Sequence, residues 1–176
     1  SATYGCIDIL VNNAGIWRQF CLFEESNSAD WRRKIDVNIL GTLYPTRALI
    51  NPMIERGWGR IINIASMYGL VGNMIVGSAP YHAAKGGVVN LTRALAAEWG
   101  KHGITVNSIC PGYFYTDLTT ATLDSDYFQA IAKSNIPLQR YGRQGELDTC
   151  ALFLASPCST YVNGQNIAVD GGYTCI

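Results

Sequence analysis

Tyr81 and Lys85 stand four apart in the stretch YHAAK, a spacing that puts two side chains on one face of a helix. A free phenol has a pKa near ~10 and is a poor base at neutral pH. A cation within a few ångströms favours the phenolate and lowers that pKa by roughly 1–3 units. A helix N-terminus pulls the same way, and Pro80 fits a helix beginning at Tyr81. YxxxK is nonetheless a common pattern, and alone it reads as a partly exposed tyrosine beside a surface lysine. Ser66, fifteen residues upstream, ends an apolar run. It either donates a hydroxyl to a substrate carbonyl or caps a loop. Asn38, in VNILGT, sits inside a helical pattern. A buried asparagine there needs a partner, and its plainest role is a structural hydrogen bond.

The elements that must position these groups are readable in outline. CIDILV (6–11), RIINIAS (60–66), ITVNSIC (104–110) and GQNIAVDGG (164–172) are short runs with apolar residues that end in turn residues. They predict strands buried on both faces. Between them, helices are predicted from the Ser/Asn-rich start at 26–28, from YHAAK to the glycines at 100 and 103, and over GELDTCALFLAS. Pro45 and Pro52 are expected to kink or end helix there. Residues 67–80 read as loop, and 117–136 as a mobile, partly helical excursion that closes over substrate. The order is β-α-β-α-β-(α)-α-β. That implies one α/β domain over 1–176, a doubly wound parallel sheet. Ligands in such sheets lie beyond the C-terminal strand ends, which here carry NNAG, Ser66-MYG, PGYFYT and DGG.

Bulk composition narrows the function classes. The 176 residues are 48% hydrophobic, with 13 basic residues against 13 acidic and no basic run. That argues against nucleic acid as a partner and against a polybasic membrane anchor. No apolar run reaches membrane-spanning length. The opening SATYGCIDIL lacks the basic start and long apolar core of a signal peptide. The six cysteines form no CxxC pair or zinc-spaced cluster, so no metal is expected, and reduced thiols in a cytoplasm are the simplest reading.

Taken in order, NNAG at 12–15, Asn38, IINIAS ending at Ser66, YHAAK, PGYFYT at 111–116 and VDGG at 169–172 resemble the short-chain dehydrogenase/reductases. The flavour is that of gluconate dehydrogenase and 3-oxoacyl-carrier-protein reductase-like members. The resemblance runs from residue 5 to the C-terminus, and each motif alone is weak. It implies a Rossmann-like fold binding NAD or NADP, and interconversion of a secondary alcohol and a ketone. Tyr81 would then be the general acid/base, and Lys85 would lower its pKa and bond the nicotinamide ribose. Ser66 would polarise the carbonyl, and Asn38 would hold a relay water. Asn12, Ala14 and Gly15 would line the adenosine-ribose side of the cofactor, Ile64 would lie under it, and Pro111, Gly112 and Thr116 would flank the nicotinamide. Met67, Val71, Met74 and Ile75 would form one wall of the substrate site and Tyr113, Phe114, Tyr115 and Leu118 the other. A homodimer or homotetramer through helices near 34–56 and 81–101 is also implied.

One departure matters. The family's glycine-rich TGxxxGxG turn, which sets a helix N-terminus against the pyrophosphate, is absent. The chain is therefore expected to lack the first three strands of the family fold, a piece on the order of 80 residues at about 30 per βαβ unit. CIDILV becomes an exposed apolar edge strand, and the strand that selects NAD or NADP is missing. A non-catalytic remnant or interaction module is the competing reading. Arg140 and Arg143 are the nearest cations to a strand end and are expected to be solvated.

Overall fold

The computed structural model describes residues 5–17, 21–117 and 119–176. Four strands, β1 (Ile9–Asn12), β2 (Gly59–Ile64), β3 (Ile104–Pro111) and β4 (Asn166–Val169), form one sheet in the order β1-β2-β3-β4. Every pairing is parallel, with Val11 opposite Ile62, Ile62 opposite Asn107 and Ile109 opposite Ile167. β2 and β3 are buried along nearly their whole length, as a central strand covered on both faces must be.

Side chains alternate across the sheet, and the core divides accordingly. Ile61, Ile104 and Val106 pack with Ile50, Met53 and Ala96, which come from α2 (Gly41–Arg56) and α3 (Ala79–Trp99). Ile62 and Ile109 pack on the opposite face against Leu154, from the late helix of residues Asp148–Ala155. Helices thus cover both faces of the sheet, which makes it doubly wound. β1 begins later than CIDILV and is an edge strand. Ile9 and Val11 are 42% and 47% exposed.

The first helix, α1 (Ser28–Ile35), starts where expected. The Asn27 side chain accepts from the Asp30 amide at 2.9 Å. Contrary to expectation, the chain stays helical through Pro45 and Pro52. The irregularity falls instead at residues Asp36–Leu40, a π turn joining α1 to α2. Burial of Thr42, Thr46, Ile50 and Met53 along one face outweighs the backbone bonds that the prolines cannot donate. π turns inside helices recur at functional positions, and this one contains Asn38.

α3 buries Pro80, Ala84, Lys85, Val88, Thr92 and Ala96, a stripe of four-residue spacing. The excursion is folded and packed over residues 119–136. α4 (Thr120–Leu123) and α5 (Asp126–Asn135) bury Leu123, Phe128, Ile131 and Ala132 against Tyr68, Tyr113 and Tyr141. The late helix is α6. No helix among the described residues is long and apolar enough to cross a membrane.

Candidate active site

A cavity of about 450 Å³ opens at the C-terminal ends of β1, β2 and β3. It is bordered by Gly15, Ile64, Ser66, Tyr81, Lys85, Pro111, Gly112 and Thr116. A smaller one of about 190 Å³, bordered by Met67, Tyr68, Tyr113 and Phe114, shares Ser66, Tyr81, Gly112 and Thr116 with it. Ser66 and Tyr81 therefore stand at the junction of two compartments. The larger reaches back along the strand ends, and the smaller is walled by aromatic rings.

Of the four expected chemical residues, Ser66, Tyr81 and Lys85 border the larger cavity, and Asn38 borders neither. Ser66 closes β2 and caps the turn at 67–69, its hydroxyl accepting from the Tyr68 amide at 3.2 Å. Tyr81 lies in the first turn of α3. Burial pushes its phenol up to about 12, and the Ser66 hydroxyl pulls it partly back. The lowering expected from Lys85 does not govern Tyr81 in this structure. The Lys85 ammonium sits 5.8 Å from the Tyr81 ring centre and donates to the Ile64 carbonyl at 2.7 Å. Lys85 is 4% exposed, and burial brings it down to about 8. Three N–H donors and one hydrogen bond among the described residues leave two donors for the cavity it borders.

Asn38 is fully buried. Its amide nitrogen donates to the carbonyls of Ile16 and Lys34, at 3.1 and 2.9 Å, and its oxygen accepts from the Ile16 amide at 3.1 Å. Both amide hydrogens are spent on backbone, so the side chain has none left for a relay water. It pins the loop after β1 to the π turn. Gly15 lies inside this grip. A methyl group there would fall 2.9 Å from the Asn38 oxygen and 3.3 Å from the Lys85 nitrogen.

Some expected roles shift. Asn12 does not border the cavity. Its amide donates to Thr46 and to Asn63, each at 2.9 Å, and Asn63 donates to Thr92 at 3.0 Å. This buried chain ties β1, β2, α2 and α3 together, and the neighbouring Asn13 borders the cavity instead. Ala14 is exposed and does not border it. Gly112 does, but a side chain there would strike the Asp170 backbone at 2.7 Å, so packing alone demands the glycine. Thr116 bonds Thr119 at 2.9 Å at the rim. Met67, Tyr113 and Phe114 form walls as expected. Val71, Met74 and Ile75 instead border a separate cleft with Asn135 and Tyr173. Tyr115 packs against Tyr141, and Leu118 lies outside the described residues. Arg140 pairs with Glu146 at 2.7 Å on the surface. Sequence reading missed Arg33, a cation on α1 at the edge of the larger cavity. Helical spacing carries no signal for that. Among the described residues no cluster of His, Cys, Asp and Glu could hold a metal ion.

Known proteins share this arrangement. The family profile described as enoyl-(acyl carrier protein) reductase matches residues 1–174. Gluconate 5-dehydrogenase of Gluconobacter oxydans (strain 621H) is 41% identical over 170 residues, covering 97% of this chain and 65% of that protein. Galactitol 2-dehydrogenase (L-tagatose-forming) of Cereibacter sphaeroides is 42% identical over 168 residues, 96% of this chain and 66% of that one. Among solved structures, gluconate 5-dehydrogenase from Burkholderia cenocepacia J2315, in complex with NADP and tartrate, superposes with a TM-score of 0.94 at 41% identity. That match covers 99% of this chain and 68% of that one. A short-chain type dehydrogenase/reductase from Mycobacterium marinum superposes at 0.90 with 39% identity, covering 98% and 66%. The chain thus spans about two-thirds the length of these relatives, 65–66% of the first two. Fold, motif order and similarity along nearly the whole chain agree, and the chain belongs to the short-chain dehydrogenase/reductase family.

Proposed function

We propose that the chain is the substrate-side portion of an NAD- or NADP-dependent oxidoreductase that interconverts a secondary alcohol and a ketone. The observation that carries this reading is the meeting of Ser66 and Tyr81 at the junction of the two cavities, with Lys85 bordering the larger one.

The residues present fit a nicotinamide cofactor. Lys85 holds two unused donors toward the larger cavity, suited to ribose hydroxyls, and Gly15 keeps the floor beside it clear. Pro111, Gly112 and Thr116 border the same space, and Arg33 adds a cation for phosphate at its edge. When bound, the cofactor supplies the hydride-exchanging ring. Tyr81 supplies the proton. At about 12 the phenol is protonated at neutral pH, ready to donate to the oxygen of a ketone being reduced. Oxidation needs the reverse transfer, which a charged Lys85 favours electrostatically. Ser66 orients the same oxygen. Asn38 acts by position, holding Ile16 and the π turn so that Gly15 and Lys85 keep their places.

Sugar acids, polyols and 3-oxoacyl thioesters form the substrate panel. Assembly as a homodimer or homotetramer in the cytoplasm belongs to the same proposal. The unpaired state of all six cysteines and the exposed apolar side chains of β1 support it. A non-catalytic module remains the competing reading, favoured by the absence of a glycine-rich phosphate turn from the sequence. The deciding experiment is Tyr81→Phe in a form of the protein that carries a glycine-rich phosphate turn, with turnover measured over the panel and cofactor binding followed by fluorescence. Turnover lost with binding kept supports the proposal, and equal turnover sinks it.

A further inference from the structure

His82 follows the proposed proton donor, and both of its ring nitrogens have polar neighbours. The Asn73 side-chain oxygen accepts from two backbone amides, Ile75 at 2.8 Å and Val76 at 2.9 Å. Its orientation is therefore set, since a flipped amide would turn N–H against N–H. The Asn73 nitrogen must then be the atom 3.0 Å from His82 Nε2. An amide nitrogen only donates, so Nε2 must accept. The single ring proton of neutral imidazole is left on Nδ1, which lies 2.9 Å from the Ser78 carbonyl, an acceptor only. The ring stacks on Tyr68 at 4.6 Å, and the Tyr68 hydroxyl meets that of Tyr113. Both tyrosines wall the smaller cavity.

We propose that Asn73 and His82 form a proton-sensitive clasp, closed only with neutral, Nδ1-protonated His82, that positions loop 70–78 and the Tyr68 ring at the substrate wall. A second proton on Nε2 sets donor against donor across 3.0 Å, and Asn73 cannot rotate to accept without abandoning Ile75 and Val76. Among the described residues, no charged side chain borders the hollow beside His82, which Leu22 and Phe23 help to line. The titratable groups around the ring and its loop are Tyr68 beneath it, Tyr81 on its own helix and Cys21, whose backbone bonds Gly77. None is a carboxylate that could welcome an imidazolium. Asn73 and His82 are positioning residues, and their effect on turnover rests on the function proposed above.

The test does not need turnover. Long-range ¹H–¹⁵N correlation of the wild-type ring should show Nδ1 protonated and Nε2 bare; the opposite tautomer overturns the clasp. Exchange of the Ile75 and Val76 amides, corrected for intrinsic rates, should rise about fivefold, the worth of one net hydrogen bond, on acidification. In Asn73→Asp the carboxylate accepts from the amides and from Nε2–H alike, so the response should reverse, with protection growing as pH falls. His82→Phe, which keeps the stack, should make it flat. Wild type and Asn73→Asp responding with the same sign would refute the clasp. A chain that turns over no substrate yet shows the reversal would refute the proposed function and leave the clasp standing.

Discussion

Two buried lysines divide the molecule. Lys34, on α1, is 1% exposed and meets the Asp30 carboxylate one turn away at 2.6 Å. Lys85, on α3, is 4% exposed and meets a carbonyl at 2.7 Å. Both ammonium groups have been taken out of water, which costs several kcal/mol per ion. Only the first is offset by an opposite charge. The carboxylate-paired lysine holds α1 together. The other borders the cavity with its charge uncompensated and its pKa brought down to about 8. An enzyme site needs groups poised for change, and leaving a charge half-satisfied is how a fold keeps one poised.

Four substitutions probe that division. Tyr81→Phe removes the proposed acid/base beside Lys85. It should lower turnover on the order of 10²–10⁴-fold with cofactor fluorescence unchanged, and a smaller loss would detach Tyr81 from the chemistry. Asp30→Asn takes the carboxylate away from Lys34. Breaking a buried pair costs about 3–5 kcal/mol, read as a lower urea midpoint; an unchanged midpoint would mean the pair is not what stabilises α1.

Lys85→Met should act oppositely, raising stability below pH 8 by about 3 kcal/mol while removing turnover. The sign follows from linkage. Lys85 sits at about 8 in the fold against 10.5 free, so between those values the unfolded chain binds the extra proton and stability from this group rises with pH. Tyr81, at about 12 against 10.0 free, reverses the slope above pH 10. Urea denaturation at pH 7.5 and 9.5 should show the rise in wild type and lose it in Lys85→Met.

Asp8→Asn removes the carboxylate that Arg56 meets at 3.2 Å, a pair with side chains 29% and 60% exposed. Exposed pairs are worth about 0–1 kcal/mol, so the midpoint should hardly move. A loss as large as that of Asp30→Asn would erase the contrast between buried and exposed pairs.

The cofactor poses a separate question for this chain. Without a glycine-rich phosphate turn, the 176-residue chain should bind NADH and NADPH only weakly, and micromolar affinity in a fluorescence titration would contradict that.

Much of this was legible in residue order. The four strands announced themselves as β-branched runs, and Ser66, Tyr81 and Lys85 could be grouped because a strand end and the next helix start share one side of a parallel sheet. Local rules failed where packing overrode them. Pro45 and Pro52 break isolated helices, but here a buried face carries the chain past them. Asn12 and Asn13 are indistinguishable as letters. Strand alternation sends the first into the Asn63–Thr92 chain and leaves the second at the cavity. Val71, Met74 and Ile75 are apolar residues near Ser66, yet the loop carries them to another cleft.

The sequence by itself determined the element order and the parallel sheet, because short-range periodicity and turn residues encode them directly. Only the tertiary structure decided which charges are compensated. Lys34 and Lys85 are equally plausible surface residues by type, and the difference between them lies in what faces each ammonium across 3 Å. Lys34 finds its carboxylate within its own helix, while the seating of α3 against β2 turns Lys85 to a carbonyl. Tertiary contact likewise gives His82 its partner, since Asn73 comes from a loop nine residues upstream.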